Sequence, residues 1–391
     1  MMHRTRHSMI LGLLLAGPLA AAIASQTPAP ATPQTPAATA QTPPAEGRGG
    51  RGGGRGRPEV PMDPDRARQL YVSNKPGDLP TCNCERDITN QKNIDDTYLA
   101  RTQGLMDYAK IKYISPIDGL EIQAHLFSPL KKRGARGHAA MVWVHGGVHG
   151  SWGTNMFPFV REAVQRGYVI IAPDYRGSTG YGEAFYKKID YGGAEVDDVV
   201  ASYDYLKTLS YVDPDRVGIM GWSHGGFITS HVLFRKEHPF KSGAAIVPVT
   251  NLVFRLSFKG PGYQRDYAAE ESIQGLPFEK RDEYIKRSPV FHVENLKVPM
   301  LCHVATNDLD VNFVEDQQMI YTLMALKPKL AETKIYVDPA PGPASGGHTF
   351  SRRVNPQTLE RDDSPAQVDS WNLTWAFFER SLRPNATSGS R

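Results

Sequence analysis

From about Leu105 onward the chain alternates two kinds of hydrophobic pattern. Short β-branched or apolar runs recur at Ala109 to Ser115, Glu121 to Phe127, Ala139 to Val144, Tyr168 to Ala172, Arg216 to Met220, Gly243 to Val249, Val298 to Val304 and Lys334 to Val337. Their length and composition predict eight strands, and Asp118-Gly119 between the first two is a hairpin signal. Between the strands the period changes. Val196, Val199, Val200 and Tyr203 fall on one face of a predicted helix over 195–206, and Val368, Trp371, Trp375, Phe378 and Leu382 do the same near the end of the chain. Strand and helix in alternation predict an α/β fold: an open, mostly parallel eight-stranded sheet with helices on both faces. In such sheets ligands bind beyond the carboxyl ends of the strands. Residues that follow strands therefore carry the functional reading.

The first part of the 391 residues does not share this pattern. His3, Arg4 and Arg6 precede an apolar run from Met9 to Ala20, and residues 1–24 read as a secretory signal peptide, interrupted by Gly17-Pro18 and too short for a membrane span. Export to the periplasm or the exterior is the expectation. Residues 25–64 are rich in Pro, Ala and Thr and then in Gly and Arg, with almost nothing to bury, so a disordered linker is expected. Residues 65–104 read as a peripheral extension, with a possible turn at Lys75-Pro76-Gly77-Asp78, 105–383 as the catalytic domain and 384–391 as a tail. The net charge of +4 is concentrated in Arg48, Arg51, Arg55 and Arg57, a tract read as a tether rather than a nucleic-acid site. Three cysteines are too few for a disulfide scaffold. Cys82 and Cys84 are so close in sequence that a bridge between them would be strained, and Cys302 reads as a buried thiol.

The chemistry centres on Gly221-Trp222-Ser223-His224-Gly225. A predicted strand precedes it and a helical pattern follows, which is the context of a nucleophile elbow: a serine on a sharp turn, with glycines where side chains would collide. A serine hydroxyl is a weak nucleophile at neutral pH and needs a histidine to take its proton and a carboxylate to orient that histidine. Asp308 follows the seventh strand and His348 follows the eighth, giving the order Ser, Asp, His, with Asp310 as the alternative acid. An oxyanion hole needs two backbone donors. His224 supplies one, and the loop His145-Gly146-Gly147 supplies the other, assigned to Gly147. His145 and His149 are four apart, but their loop is glycine-rich and no third ligand is evident, so no metal site and no cofactor are expected.

Several stretches together resemble the catalytic domain of the prolyl oligopeptidase family of serine peptidases, in its dipeptidyl-peptidase and acylaminoacyl-peptidase branches. They are SPIDGLEI from Ser115, HGGVHGSWG from His145, PDYRGSTGYGEAF from Pro173, DPDRVGIMGWSHGG from Asp213, SPVFHVENLKVPML from Ser288 and WNLTWAFFERSL from Trp371. The resemblance implies an α/β-hydrolase fold, the triad Ser223, Asp308 and His348, Gly147 and His224 as oxyanion donors, and Trp222 and His224 near a side-chain pocket. It implies hydrolysis of peptide or acyl-peptide bonds through an acyl-enzyme. The same triad would serve a carboxylesterase acting on small acyl esters, and a non-catalytic binding protein would predict a damaged triad. Members of these branches carry an N-terminal β-propeller, and blades of ~40–45 residues each do not fit ahead of Leu105, so no propeller is expected here. Asp87 to Asn93 resembles the last fragment of one, and Val304-Ala305 replaces the usual His-Gly before the acid. Substrate selection is then expected from the segment between Thr250 and Ser288, with Phe254, Arg255, Phe258, Tyr263, Arg265 and Tyr267, and with Glu270-Glu271 as a candidate site for a free amine. The expected partner is a peptide or ester substrate, with nucleic acid not expected. The sequence carries no signal of oligomeric state.

Overall fold

The structure, a computed structural model, describes residues 81–259, 272–340 and 346–385. The expected signal peptide, the linker, the turn at Lys75 to Asp78, residues Tyr263, Arg265, Tyr267, Glu270 and Glu271, and the last six residues of the chain lie outside them.

All eight predicted strands are present: β1 (Asp107–Ile114), β2 (Glu121–Ser128), β3 (His138–Val144), β4 (Val169–Asp174), β5 (Val212–Trp222), β6 (Gly243–Ile246), β7 (Met300–Ala305) and β8 (Ala331–Tyr336). They form one sheet in the order β1-β2-β4-β3-β5-β6-β7-β8. β1 pairs antiparallel with β2 through the Asp118-Gly119 turn, β2 pairs antiparallel with β4, and every other pairing is parallel. β6 stops three residues earlier than the apolar run suggests, because Val247 has φ +43° and turns the chain out of the ladder.

The helices of the described residues include α1 (Cys84–Thr102), α2 (Phe157–Gln165), α3 (Ala194–Thr208), α4 (His224–Leu233), α5 (Leu252–Phe258), α6 (Phe313–Leu326) and α7 (Pro365–Leu382). The period-2 alternation of the central strands separates two cores. Val217 and Ile219 of β5 join Val142 of β3 under Val199 of α3, Phe227 of α4 and Leu323 of α6. On the other face Met220 and Trp222 join Met141 and Trp143 under Phe159 of α2 and Trp371, Trp375 and Phe378 of α7. Gly218 lets α7 close on β5, since a Cβ there would come within 2.9 Å of Leu382. The predicted stripe of α7 is buried from Trp371 to Leu382, while Val368 is exposed. Ser364 caps α7 by accepting from the Gln367 N–H at 3.2 Å, with Pro365 in the first turn.

Regular structure begins before Leu105. Cys82 and Cys84 are disulfide-bonded at the start of α1, and Asp87 to Asn93 lie within that helix rather than in a strand of the propeller type. Tyr98 anchors α1 to the second core, with ring centroids 5.1 Å from Phe127 and 5.5 Å from Tyr108 and with its hydroxyl donating to the Gly153 carbonyl at 2.8 Å. The helix has a weak apolar stripe and is held by a few large contacts, which periodicity does not register. Cys302 is a buried free thiol, as expected. No helix among the described residues is long and apolar enough to cross a membrane.

Candidate active site

Ser223 sits at the carboxyl end of β5 with φ +55° and ψ −121°, in the region that residues with a Cβ avoid. The surrounding fold imposes this turn. An added Cβ at Gly221 would collide with the backbone of Gly225, and one at Gly225 would collide with the carbonyls of Val144 and His145. The first glycine lets the elbow close, and the second lets the loop after β3 lie against the first turn of α4.

That approach brings the expected oxyanion donors to one end of the sheet. His224 is the first residue of α4, where backbone N–H groups have no partner within the helix and the macrodipole is positive. Gly147 has φ +79°, and its carbonyl accepts from the Tyr175 hydroxyl at 2.7 Å. His145 and His149 are held by protein groups: His145 Nε2 is 2.9 Å from Ser178 Oγ, and His149 Nδ1 is 2.7 Å from the Gly177 carbonyl.

His348 and Asp308 meet across 40 residues of sequence, with Nδ1 2.7 Å from Oδ2. A carboxylate only accepts, so Nδ1 carries the hydrogen and Nε2 is left as the basic nitrogen. The other carboxylate oxygen, Oδ1, accepts from the N–H groups of Asp310 and Val311 at 2.8 and 2.9 Å, which holds the acid in place independently of the histidine. Gly346 and Gly347 permit the close approach of the two loops. A Cβ on Gly346 would lie 2.6 Å from the Asn307 carbonyl. The geometry decides between the two candidate acids. Asp310 faces the opposite edge of the ring, 3.6 Å from Nε2, and is engaged by Lys259 and by Arg255 at 3.6 Å. Burial pushes its pKa up, but the charges of His348, Arg255 and Lys259 outweigh that and hold it well below the usual carboxylate range. Among the described residues no hydrogen bond joins Ser223 Oγ to His348, so that link is left to the substrate complex, where such bonds tighten.

Two expected pocket residues prove to be buried parts of the scaffold. Trp222 is 2 % exposed, stacks on Trp143 at 5.6 Å and lies 5.4 Å from Trp371. Its Nε1–H donates to Ser351 Oγ at 2.8 Å. The indole thus ties the residue before the nucleophile to the loop that carries His348, and it does not line a side-chain pocket. The His224 imidazole is 1 % exposed and enclosed by Tyr175, Tyr191 and Phe227. Arg255, expected to face substrate, is buried and pairs with Glu315 at 3.4 Å. Glu270 and Glu271 are outside the described residues.

Sequence reading did not single out Glu195. It is fully buried in α3, its carboxylate accepts from the N–H groups of Gly192 and, at 3.1 Å, Gly193, and Oε1 lies 3.6 Å from His224 Nε2. Burial raises its pKa to about 8, despite the opposing Gly192 N–H, and burial with the charge of Arg255 lowers that of His224 to about 3. A second network supports the loop after β4. Arg176 forms a two-pronged pair with Asp198, Nε to Oδ2 at 2.8 Å and Nη2 to Oδ1 at 2.9 Å, and reaches Ser115 Oγ at 2.9 Å.

Comparison with known proteins shows the family and the fold. The model of the prolyl oligopeptidase family matches residues 155–354. The uncharacterized peptidase YuxL of Bacillus subtilis is 26 % identical over 311 residues, 79 % of this chain and 44 % of that protein. The acylamino-acid-releasing enzyme of Arabidopsis thaliana is 27 % identical over 249 residues, 61 % of this chain and 30 % of the relative. Among solved structures, the acylaminoacyl peptidase of Pyrococcus horikoshii superposes with a TM-score of 0.59 at 23 % identity, covering 76 % of this chain and 45 % of its own, and so shares the α/β-hydrolase fold. The chain spans less than half the length of these relatives.

Proposed function

Because the chain belongs to the prolyl oligopeptidase family, we propose that it is a serine peptidase that cleaves peptide or acyl-peptide bonds through an acyl-enzyme. The observation that carries this reading is the Asp308–His348 bond of 2.7 Å together with a serine held at positive φ at the end of β5. In the proposed reaction Ser223 Oγ attacks the scissile carbonyl while His348 Nε2 takes its proton. Asp308 keeps the second imidazole hydrogen on Nδ1 and stabilises the imidazolium that forms. Charge that develops on the carbonyl oxygen is met by the N–H groups of His224 and Gly147. The imidazolium then protonates the departing amine, and water repeats the sequence in reverse to release the acid and restore Ser223. No cofactor enters these steps.

The acyl-peptide branch of the reading draws on relatives named for acylamino-acid release. We also propose export, on the basic and apolar run of residues 3–24. The test of function is labelling of the full chain by a fluorophosphonate, in the wild type and in Ser223→Ala, followed by a panel of free peptides, N-acylated peptides and simple esters. Labelling lost in the variant and turnover of peptides are expected. Labelling that survives Ser223→Ala would overturn the nucleophile, and turnover of esters alone would make the protein an esterase.

A further inference from the structure

Arg352 is a charged group of the site that the proposed reaction does not use. It follows His348 by four residues and is half-buried. Its Cζ lies 6.0 Å from the centre of the Trp222 ring. A Cβ built on Gly146 would lie 3.3 Å from Ser223 Cβ and 3.6 Å from Arg352 Nη1, so the guanidinium and the nucleophile flank the same point of the loop after β3. Its Nε is shut away from solvent with no hydrogen-bond partner among the described residues.

The neighbouring acids are committed elsewhere. Asp308 is bonded to His348 and to two backbone N–H groups, and Asp310 is held by Lys259 and Arg255. Neither comes within ion-pair distance of Arg352. Burial accordingly lowers the Arg352 pKa to about 10, with Asp310 and Asp308 opposing only from a distance. Only Nε is shut in; the terminal nitrogens have no carboxylate partner among the described residues and are left available to a ligand. The planar fork of the guanidinium matches a carboxylate.

We propose that Arg352 is a specificity-determining residue that binds a carboxylate of the substrate next to the scissile bond, so that the preferred substrates are anionic at that point. This rests on the peptidase reading and names the substrate class of the same site. Two sources supply the chemistry: an Asp or Glu side chain flanking the bond, or the terminal carboxylate of a one-residue leaving group.

The test uses wild-type protein and matched peptides that differ only in charge: Glu against Gln on either side of the scissile bond, and a C-terminal acid against its amide. The wild type is expected to favour the carboxylate member of one pair by tenfold or more in kcat/KM, chiefly through KM, and the pair that responds identifies the source. Arg352→Gln should abolish the preference while leaving the neutral substrate within about twofold, and Arg352→Lys should restore part of it. Thermal melting establishes whether each variant is folded, and the wild-type preference decides the matter by itself if one is not. A wild type indifferent to charge overturns the proposal, as does an equal loss on charged and neutral substrates, which would make Arg352 an oxyanion or scaffold residue. Fluorophosphonate labelling of Ser223 separates the two readings: without it the peptidase assignment fails, and with it but no charge preference only the role of Arg352 does.

Discussion

His348 Nδ1 stands 2.7 Å from Asp308 Oδ2, while the Asp310 carboxylate lies at the opposite edge of the same ring, 3.6 Å from Nε2. Only Asp308 can hold the hydrogen on Nδ1. Asp308→Asn would present an amide that stabilises the wrong tautomer, and the rate of fluorophosphonate labelling should fall by about 10⁴-fold with little change in melting temperature. Asp310→Asn should cost less than about tenfold. Equal losses in the two variants would contradict the assignment of the acid.

Ser351 Oγ is the acceptor for the buried Trp222 Nε1–H at 2.8 Å. Ser351→Ala would strand that donor inside the aromatic core, at a cost of about 1–3 kcal/mol in urea unfolding. Because the bond also spans from the nucleophile turn to the histidine loop, a slower labelling rate should accompany it. Ser351→Thr, which keeps the hydroxyl, should recover most of the rate.

Arg176 and Asp198 are both buried, and each satisfies the other. Arg176→Met leaves the buried Asp198 carboxylate without its mate and should destabilise the protein by about 3–5 kcal/mol in denaturant unfolding, while Asp198→Asn, which leaves Arg176 its 3.0 Å pair with Asp118, should cost less. The double variant should lose less than the sum of the two single losses.

The buried carboxyl of Glu195 has its pKa raised from 4.5 in the open chain to about 8 in the fold. Between these values the folded state holds a proton that the unfolded chain has released, so the contribution of Glu195 to stability is full below about 4.5 and declines as pH rises towards 8. Glu195→Gln does not titrate. The difference in unfolding free energy between variant and wild type should therefore move in favour of the variant from pH 5 to pH 8. A difference that stays constant over that range would show the carboxylate to be charged in the fold.

Strand positions along the chain were legible in the sequence because they rest on local signals, as does the expected spacing of Ser223, Asp308 and His348. Short continuous apolar runs such as Ala139 to Val144 declare a buried strand wherever they pair, and a serine between Gly221 and Gly225 declares an elbow because those glycines answer a steric demand within five residues. The hairpin at Asp118-Gly119 is local in the same sense. Helix α1 was not legible, since its place depends on Tyr98 meeting Phe127 and Tyr108 rather than on a stripe of its own.

The turning of Trp222 into the core, the burial of Glu195 against His224 and the shut-in Nε of Arg352, without a partner among the described residues, were decided by tertiary structure alone. Each depends on where a polar group finds, or fails to find, a partner many residues away. Burial makes that outcome worth several kcal/mol, while the residue letters and their spacing are the same whether the partner arrives or not.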